Sequence, residues 1–436
     1  VKTAKAQWEF EPGGDGALRR PRRVLAAQRG AWFARDTRFV PPAAARAGTS
    51  QRDVPTCLPF LTAPIRDRSY NDGMHPLALH EFHDQLNARF AELNGAEVVA
   101  DYTDTLAEHA ALRASAGIFD MSFRSRLCLT GADRVRFLHG QVTNDVKRLN
   151  AGEGCYAALV TAKGKMLSDF NILCLADELL LDFEPGLTET VSQRLEKHLV
   201  ADHVQVVNVA SAYGLLSVQG PKADAAVRGL GVFPEIPARV CAFAKFVDPT
   251  LGELYLVNQP RLGSKGFDLF APTASLGAIA DKWIAAVKSV GGRACGWQAF
   301  DLARIEAGIP RFGVDMDETN IPLECGIEDR TISYSKGCYI GQEVINRIHS
   351  VGHVTKELRG LQLTNDLKQL PVKGDKLIHD HKEVGYVTSA ARSVALQANL
   401  ALGYVRREAN QPGTELTLHT AGGDSLAKVV GLPFGK

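Results

Sequence analysis

From Pro76 onward the apolar positions fall into regular periods. Leu79, Phe82, Leu86, Phe90 and Leu93 recur at helical spacing, with Pro76 near the start and Asn94-Gly95 as a stop, which predicts a helix over this stretch. A second helix is predicted from about Asp104 to Ser115, a strand at Arg126–Thr130 and a third helix from Asp133 to about Gln141. The apolar runs Tyr156–Thr161 and Met166–Leu175, separated by Ala162-Lys163-Gly164-Lys165, read as a β-hairpin. Leu179–Phe183 adds a strand, and Leu187, Val191, Leu195 and Leu199 form the apolar stripe of a further helix. Strands follow at Val204–Val209, Gly214–Val218, Val240–Val247, Leu254–Val257 and Phe267–Phe270, and helices at Ser275–Val290 and Gln298–Ala307. Strands and helices interleave without regular βαβ repetition, so an α+β core is expected rather than a doubly wound sheet.

After about residue 355 the helical period fades. Six short strands (Leu358–Leu363, Lys376–Ile378, Val384–Ser389, Ala401–Val405, Thr414–Leu418, Ala427–Val430) alternate with turn-rich segments, the pattern of a small all-β barrel. The first 73 residues differ from both regions. Their first fifty carry ten Lys/Arg against four Asp/Glu, with many Ala, Pro and Gly and no sustained period. This predicts a disordered or over-extended leader over 1–73, a core over 74–355 and a barrel domain over 356–436.

The remaining bulk properties narrow the function. A net charge of +1 over 436 residues gives no global field toward nucleic acid or anionic membrane. No apolar run approaches the ~18 residues of a membrane span, and arginines interrupt the N-terminus where a signal peptide needs an apolar core. The eight cysteines form no C-x-x-C pair and no zinc spacing with histidine, so reduced thiols in a cytoplasmic protein and no metal site are expected. P-loop and dinucleotide fingerprints are absent. No long heptad or exposed apolar stripe demands assembly, so a monomer is expected.

Four blocks, in order, resemble a known family: EHAALRASAGIFDMS at Glu108–Ser122; FLHGQVTNDV at Phe137–Val146 with YAALVTAKGKMLSDF at Tyr156–Phe170; ARIEAGIPRFGVDMDE at Ala303–Glu318; and KGCYIGQE at Lys336–Glu343. The first three look like the folate-binding aminomethyltransferase superfamily that includes the glycine-cleavage T-protein. The fourth is similar to the signature of the YgfZ branch, where T-proteins usually lack the cysteine. The resemblance implies an aminomethyltransferase-like cloverleaf of three subdomains around a channel for tetrahydrofolate, with the C-terminal barrel as one leaf. It also implies a YgfZ-like accessory role for iron–sulfur enzymes and tRNA modification, with folate and iron–sulfur client or assembly proteins as partners and no direct nucleic-acid binding. A folate-dependent aminomethyltransferase and a scaffold that has lost folate are the alternatives.

Candidate site residues follow from the same blocks. A carboxylate pairs bidentately with the adjacent N–H groups of a pterin, and the resemblance gives that role to Glu306; read alone, Glu306 is a helix-surface glutamate. Asp169 is the carboxylate the resemblance places near the reacting nitrogens of folate, although Ser168 stands where T-proteins carry a second aspartate. Its plainer reading is a strand-edge aspartate facing water. Cys338 lies between Gly337 and Gly341, with Lys336 and Arg347 as nearby cations that favour a thiolate; it is either a reactive thiol or a structural one in a tight turn. Lys336 and Arg347 alternatively bind the carboxylates of the folate tail. Gln342 and Glu343 orient this loop or hydrogen-bond across the channel, with Gln342 among the cofactor-binding residues; read alone, they begin a helix.

Overall fold

The computed structural model describes residues 75–435; the expected leader lies outside them. The first elements are α1 (His80–Gln85), β1 (Arg89–Leu93), β2 (Ala96–Asp101), α2 (Thr105–Ala114) and β3 (Gly117–Asp120). Here the helix expected to run to Leu93 is six residues long and stops at Gln85. Asn94 and Gly95 both take positive φ, 51° and 79°, and close an antiparallel hairpin between β1 and β2. Asn-Gly is the favoured pair for such a turn; it ends no helix here. Asp104 caps α2, its Oδ1 accepting from the Ala107 amide at 2.9 Å.

Two units of the same order follow. The first is β4 (Ser125–Thr130), α3 (Arg134–Gln141), β5 (Glu153–Val160), β6 (Met166–Cys174), β7 (Leu179–Phe183), α4 (Thr188–Glu196) and β8 (Gln205–Asn208). The second is β9 (Tyr213–Gln219), α5 (Ala223–Leu230), β10 (Phe243–Asp248), β11 (Gly252–Asn258), β12 (Gly266–Pro272), α6 (Leu276–Ser289) and β13 (Arg293–Ala294). Their sheets correspond, with orders β5-β6-β7-β4-β8 and β10-β11-β12-β9-β3-β13. Helices cover one face of each sheet. Leu127, Leu129, Phe170, Ile172, Leu181 and Phe183 pack under α3 and α4, whereas Leu216, Val218, Leu254, Leu256 and Leu269 pack under α5 and α6. Leu173, Leu180, Leu215, Tyr255 and Phe270, on the opposite faces, pack together between the sheets. Strand alternation then forces Asp169 and Asn171 of β6, Asp182 of β7 and Asp268 of β12 onto these inner faces.

After α7 (Trp297–Glu306), α8 (Glu328–Thr331) and α9 (Gln342–Val351), the chain enters β14 (Lys356–Leu363), β15 (Lys376–His379), β16 (Lys382–Ser393), β17 (Ala398–Arg406), β18 (Glu415–Thr420) and β19 (Gly423–Val430). These six strands close as a barrel in the order β14-β17-β16-β15-β18-β19, filled by Leu361, Leu377, Val387, Ala401, Leu418 and Val429. Closure leaves no free sheet edge. A further apolar cluster (Met166, Ile305, Phe312, Cys325, Ile345, Leu402, Tyr404) joins the barrel to α7, α9 and the β5–β6 hairpin.

Candidate functional site

A cavity of about 470 Å³ opens beside the inner faces of the two sheets, where the edge strands β5 and β10 approach each other. The Phe243 amide donates to the Gly152 carbonyl at 2.8 Å across this junction. A volume of this order suits a small-molecule ligand.

Arg124, Glu184, Arg261 and Arg311 line the cavity and belong to a ladder of alternating charges completed by Asp182 and Asp268 behind them. The Arg261 Nε donates to Asp268 Oδ2 at 2.9 Å and its Nη2 to Asp182 Oδ2 at 2.8 Å. Asp182 also accepts from Arg124 Nε at 2.7 Å and from Asn171 Nδ2 at 2.9 Å. Arg124 Nη1 reaches Glu184 at 2.8 Å, and Glu184 accepts from Arg311 Nε at 2.8 Å. Three arginines and three carboxylates thus neutralise one another. Burial alone would raise the carboxyl of Asp182, but Arg124 and Arg261 hold it far below its usual range. Burial likewise opposes ionisation of Glu184, and Arg311 and Arg124 outweigh it. At Asp268 burial prevails and the carboxyl is raised despite Arg261.

The ladder ends at Arg311. Its guanidinium lies 4.8 Å from the centre of the Trp297 ring, and its Nη2 is buried without a hydrogen-bond partner among the described residues. A buried N–H left open is costly, and this one belongs to a cavity-lining side chain. Beside the ladder, in the same sheet, the cavity is lined by the β5–β6 hairpin. There the Tyr156 hydroxyl donates to Asp169 Oδ2, while Oδ1 has no such partner among the described residues. Burial raises the Asp169 carboxyl above its usual range, opposed in part by the Tyr156 hydrogen bond. Phe300 supplies an apolar surface, Gln259 and Asn171 supply amides, and the exposed Arg330 lies 4.9 Å from the centre of the Tyr156 ring.

Of the residues expected from the sequence, Asp169 alone lines this cavity. Glu306 is buried elsewhere: it accepts from His109 Nε2 at 3.0 Å, from Arg113 Nη1 at 2.6 Å and from the Ser393 hydroxyl. These bonds overcome burial and hold its carboxyl below the usual range. Glu306 is thus a strut joining α2, α7 and β16, with its oxygens already committed. Lys336 is buried as well, and its Nζ donates to the carbonyls of His139 (2.6 Å), Val142 (2.6 Å) and Asn144 (2.9 Å). All three ammonium donors are therefore occupied, and burial lowers its pKa to about 8. Lys336 ties down the end of α3 and leaves no donor for a folate tail.

Cys338 is exposed, unlike the other described cysteines, and Arg347 is exposed on α9, where Gln342 is the half-buried first residue. None of the three lines the cavity. Their loop is tied to the hairpin through Gly341, which has φ +89° and would place a Cβ 2.5 Å from the Thr161 carbonyl. Sequence reasoning missed Arg124, Asp182, Arg261, Asp268 and Arg311. A signal was present for two of them. Asp182 interrupts Leu-Leu-Leu-Asp-Phe and Asp268 interrupts Phe-Asp-Leu-Phe, and a charge inside an apolar strand implies a buried partner. Among the described residues no helix is long and apolar enough to cross a membrane.

Comparison with known proteins agrees with this architecture. A family model described as GCVT N-terminal domain matches residues 79–336, and one described as Glycine cleavage T-protein C-terminal barrel domain matches residues 356–436. The fold is that of the aminomethyltransferases, mixed α/β with a closed six-stranded C-terminal barrel. The chain belongs to the glycine cleavage T-protein family. It is 28% identical over 359 residues to an aminomethyltransferase of Halalkalibacterium halodurans, covering 82% of this chain and 97% of that protein. An aminomethyltransferase of Mycolicibacterium paratuberculosis is 28% identical over 373 residues, covering 82% and 95%. Among solved structures, the glycine cleavage system aminomethyltransferase T from Bartonella henselae matches with a TM-score of 0.75 at 24% identity, over 83% of this chain and 98% of that one.

Proposed function

We propose that the chain binds tetrahydrofolate, or a one-carbon derivative of it, in the cavity between the two sheets. The carrying observation is that one cavity is lined by both an unpartnered donor and an available acceptor: Arg311 Nη2 and Asp169 Oδ1. A reduced pterin presents both N–H donors and a carbonyl acceptor, so this donor set fits it. Phe300 offers the ring an apolar surface, and Arg330 suits the carboxylates of the glutamate tail. When bound, the folate supplies a nitrogen pair that carries a one-carbon unit. The protein's own residues orient it, and Asp169 places a carboxylate where positive charge on a nitrogen needs stabilising.

In this reading the chain acts as a YgfZ-like accessory protein for iron–sulfur enzymes and tRNA modification. The KGCYIGQE signature supports it, because that loop presents Cys338 as an exposed thiol while Gly341 packs the loop on the hairpin that carries Asp169. Aminomethyl transfer is the second reading, supported by the near end-to-end similarity to proteins named aminomethyltransferase.

Calorimetric titration with tetrahydrofolate tests the shared premise. Wild type should bind, and Arg311→Met should bind roughly tenfold or more weakly through loss of a charge-assisted bond. Equal affinities for the two would remove Arg311 from the site, and no binding by wild type would end the folate reading. Loss of iron–sulfur enzyme activity in cells carrying Cys338→Ser favours the accessory role. Methylenetetrahydrofolate formation with a loaded carrier protein favours the transferase.

A further inference from the structure

Resting on the folate reading above, we propose that Tyr156 is a positioning residue for Asp169: its hydroxyl holds Oδ2 so that Oδ1 faces the ligand as an acceptor. The geometry comes from strand register. Tyr156 on β5 pairs with Asn171 on β6, and Asp169 lies two residues along, on the same face and diagonally opposite. Both side chains point into the cavity, and the hydroxyl donates to Oδ2.

Tyr156 is itself held in place. The Arg330 guanidinium lies 4.9 Å from the centre of its ring. Asn144 Nδ2 donates to the Tyr156 carbonyl at 2.8 Å and to the Arg330 carbonyl at 3.1 Å, which fixes β5 against α8. Burial keeps the phenol well above its ordinary pKa, so it remains a donor across the working pH range.

The surrounding charges explain why this hydroxyl matters. Glu184, just after β7, opposes ionisation of Asp169, while Arg124 before β4 and Arg330 on α8 favour it. Of the other cations that line the cavity, Arg124 is already bound to Asp182 and Glu184, Arg261 to Asp182 and Asp268, Arg304 to Asp301 and Asp315, and Arg311 to Glu184. Arg330 is exposed and its field is screened by solvent. Tyr156 is therefore the one described group that donates a hydrogen bond directly to the carboxylate. Without it, burial is opposed only by screened or already committed cations.

The test is anaerobic tetrahydrofolate titration of the full chain from pH 4.5 to 8 with wild type, Tyr156→Phe and Asp169→Asn. Phenylalanine keeps the ring packed under Arg330 and removes only the donor. In wild type, affinity should fall on the acid side as Asp169 takes up a proton. In Tyr156→Phe that acid limb should move up by about one to two pH units, the equivalent of one hydrogen bond to a charged group, so that the loss of affinity is largest near the wild-type limb and smallest at pH 8. Asp169→Asn should show no acid limb. A Tyr156→Phe limb that coincides with wild type, with Asp169→Asn flat, would overturn the positioning role and leave the folate site standing. An Asp169→Asn titration identical to wild type would overturn the positioning role and remove Asp169 from the site, and no binding by wild type would end the folate reading itself.

Discussion

Glu306 offers a sharp separation between a ligand contact and a structural strut. Replacing it with alanine removes the acceptor for His109, Arg113 and Ser393. The Glu306 and His109 side chains are 6% and 3% exposed, whereas Arg113 is 44% exposed. The Arg113 pair therefore contributes little, at most about 1 kcal/mol. The buried His109 N–H loses its partner outright, at about 1–3 kcal/mol. The Ser393 oxygen still accepts from the Leu396 amide at 2.9 Å, so only its proton is stranded. With the lost apolar packing the total is about 4 kcal/mol, within the range for breaking a buried charged network. For a cooperative unit of this size that lowers Tm by about 5 °C. Thermal and urea unfolding followed by tryptophan fluorescence measure it, with tetrahydrofolate affinity titrated in parallel well below the melting range. The expected result is a destabilised protein whose affinity stays within about threefold of wild type. A variant of wild-type stability that binds folate more than tenfold worse would refute the strut and return Glu306 to the ligand.

The same site makes a pH prediction. Because the folded carboxyl of Glu306 lies below its unfolded value, its contribution is complete above about pH 4.3 and is lost as pH falls through the folded value; the stability curves of wild type and Glu306→Gln should converge at acid pH in urea titrations. Lys336→Met should cost about 3 kcal/mol in urea unfolding, because three carbonyls lose a buried donor; an unchanged midpoint would show that water replaces it. Gly341→Ala should destabilise by about 1–3 kcal/mol, since its φ of +89° and the Thr161 carbonyl both resist a Cβ, and a thermal melt matching wild type would contradict this.

Much of the architecture is legible in the order of residues because apolar period reports which face is buried. Leu179–Phe183 coincides with β7, the hairpin at Met166 is where its apolar runs place it, and all six barrel strands were marked by alternation between turns. Asp104 could be read as a cap because a cap acts within one turn. The site is different in kind. Period alone reads Leu79–Leu93 as one helix, and only the pairing of β1 with β2 makes Asn94-Gly95 a hairpin turn. The motif containing Arg304, Glu306, Arg311 and Asp315 is visible as a block, yet local sequence does not say which of its charges meet protein and which meet ligand. Folding sends Arg304 to Asp315 and Ser389, and Glu306 to His109 and Ser393, and leaves an open donor on Arg311. Likewise, the ladder from Asp268 through Arg261, Asp182, Arg124 and Glu184 to Arg311 draws on strands and loops far apart along the chain. Local propensity and alternation are short-range and therefore written in the sequence; the pairing of buried charges depends on distances of a few ångströms that exist only once the two sheets have closed on each other.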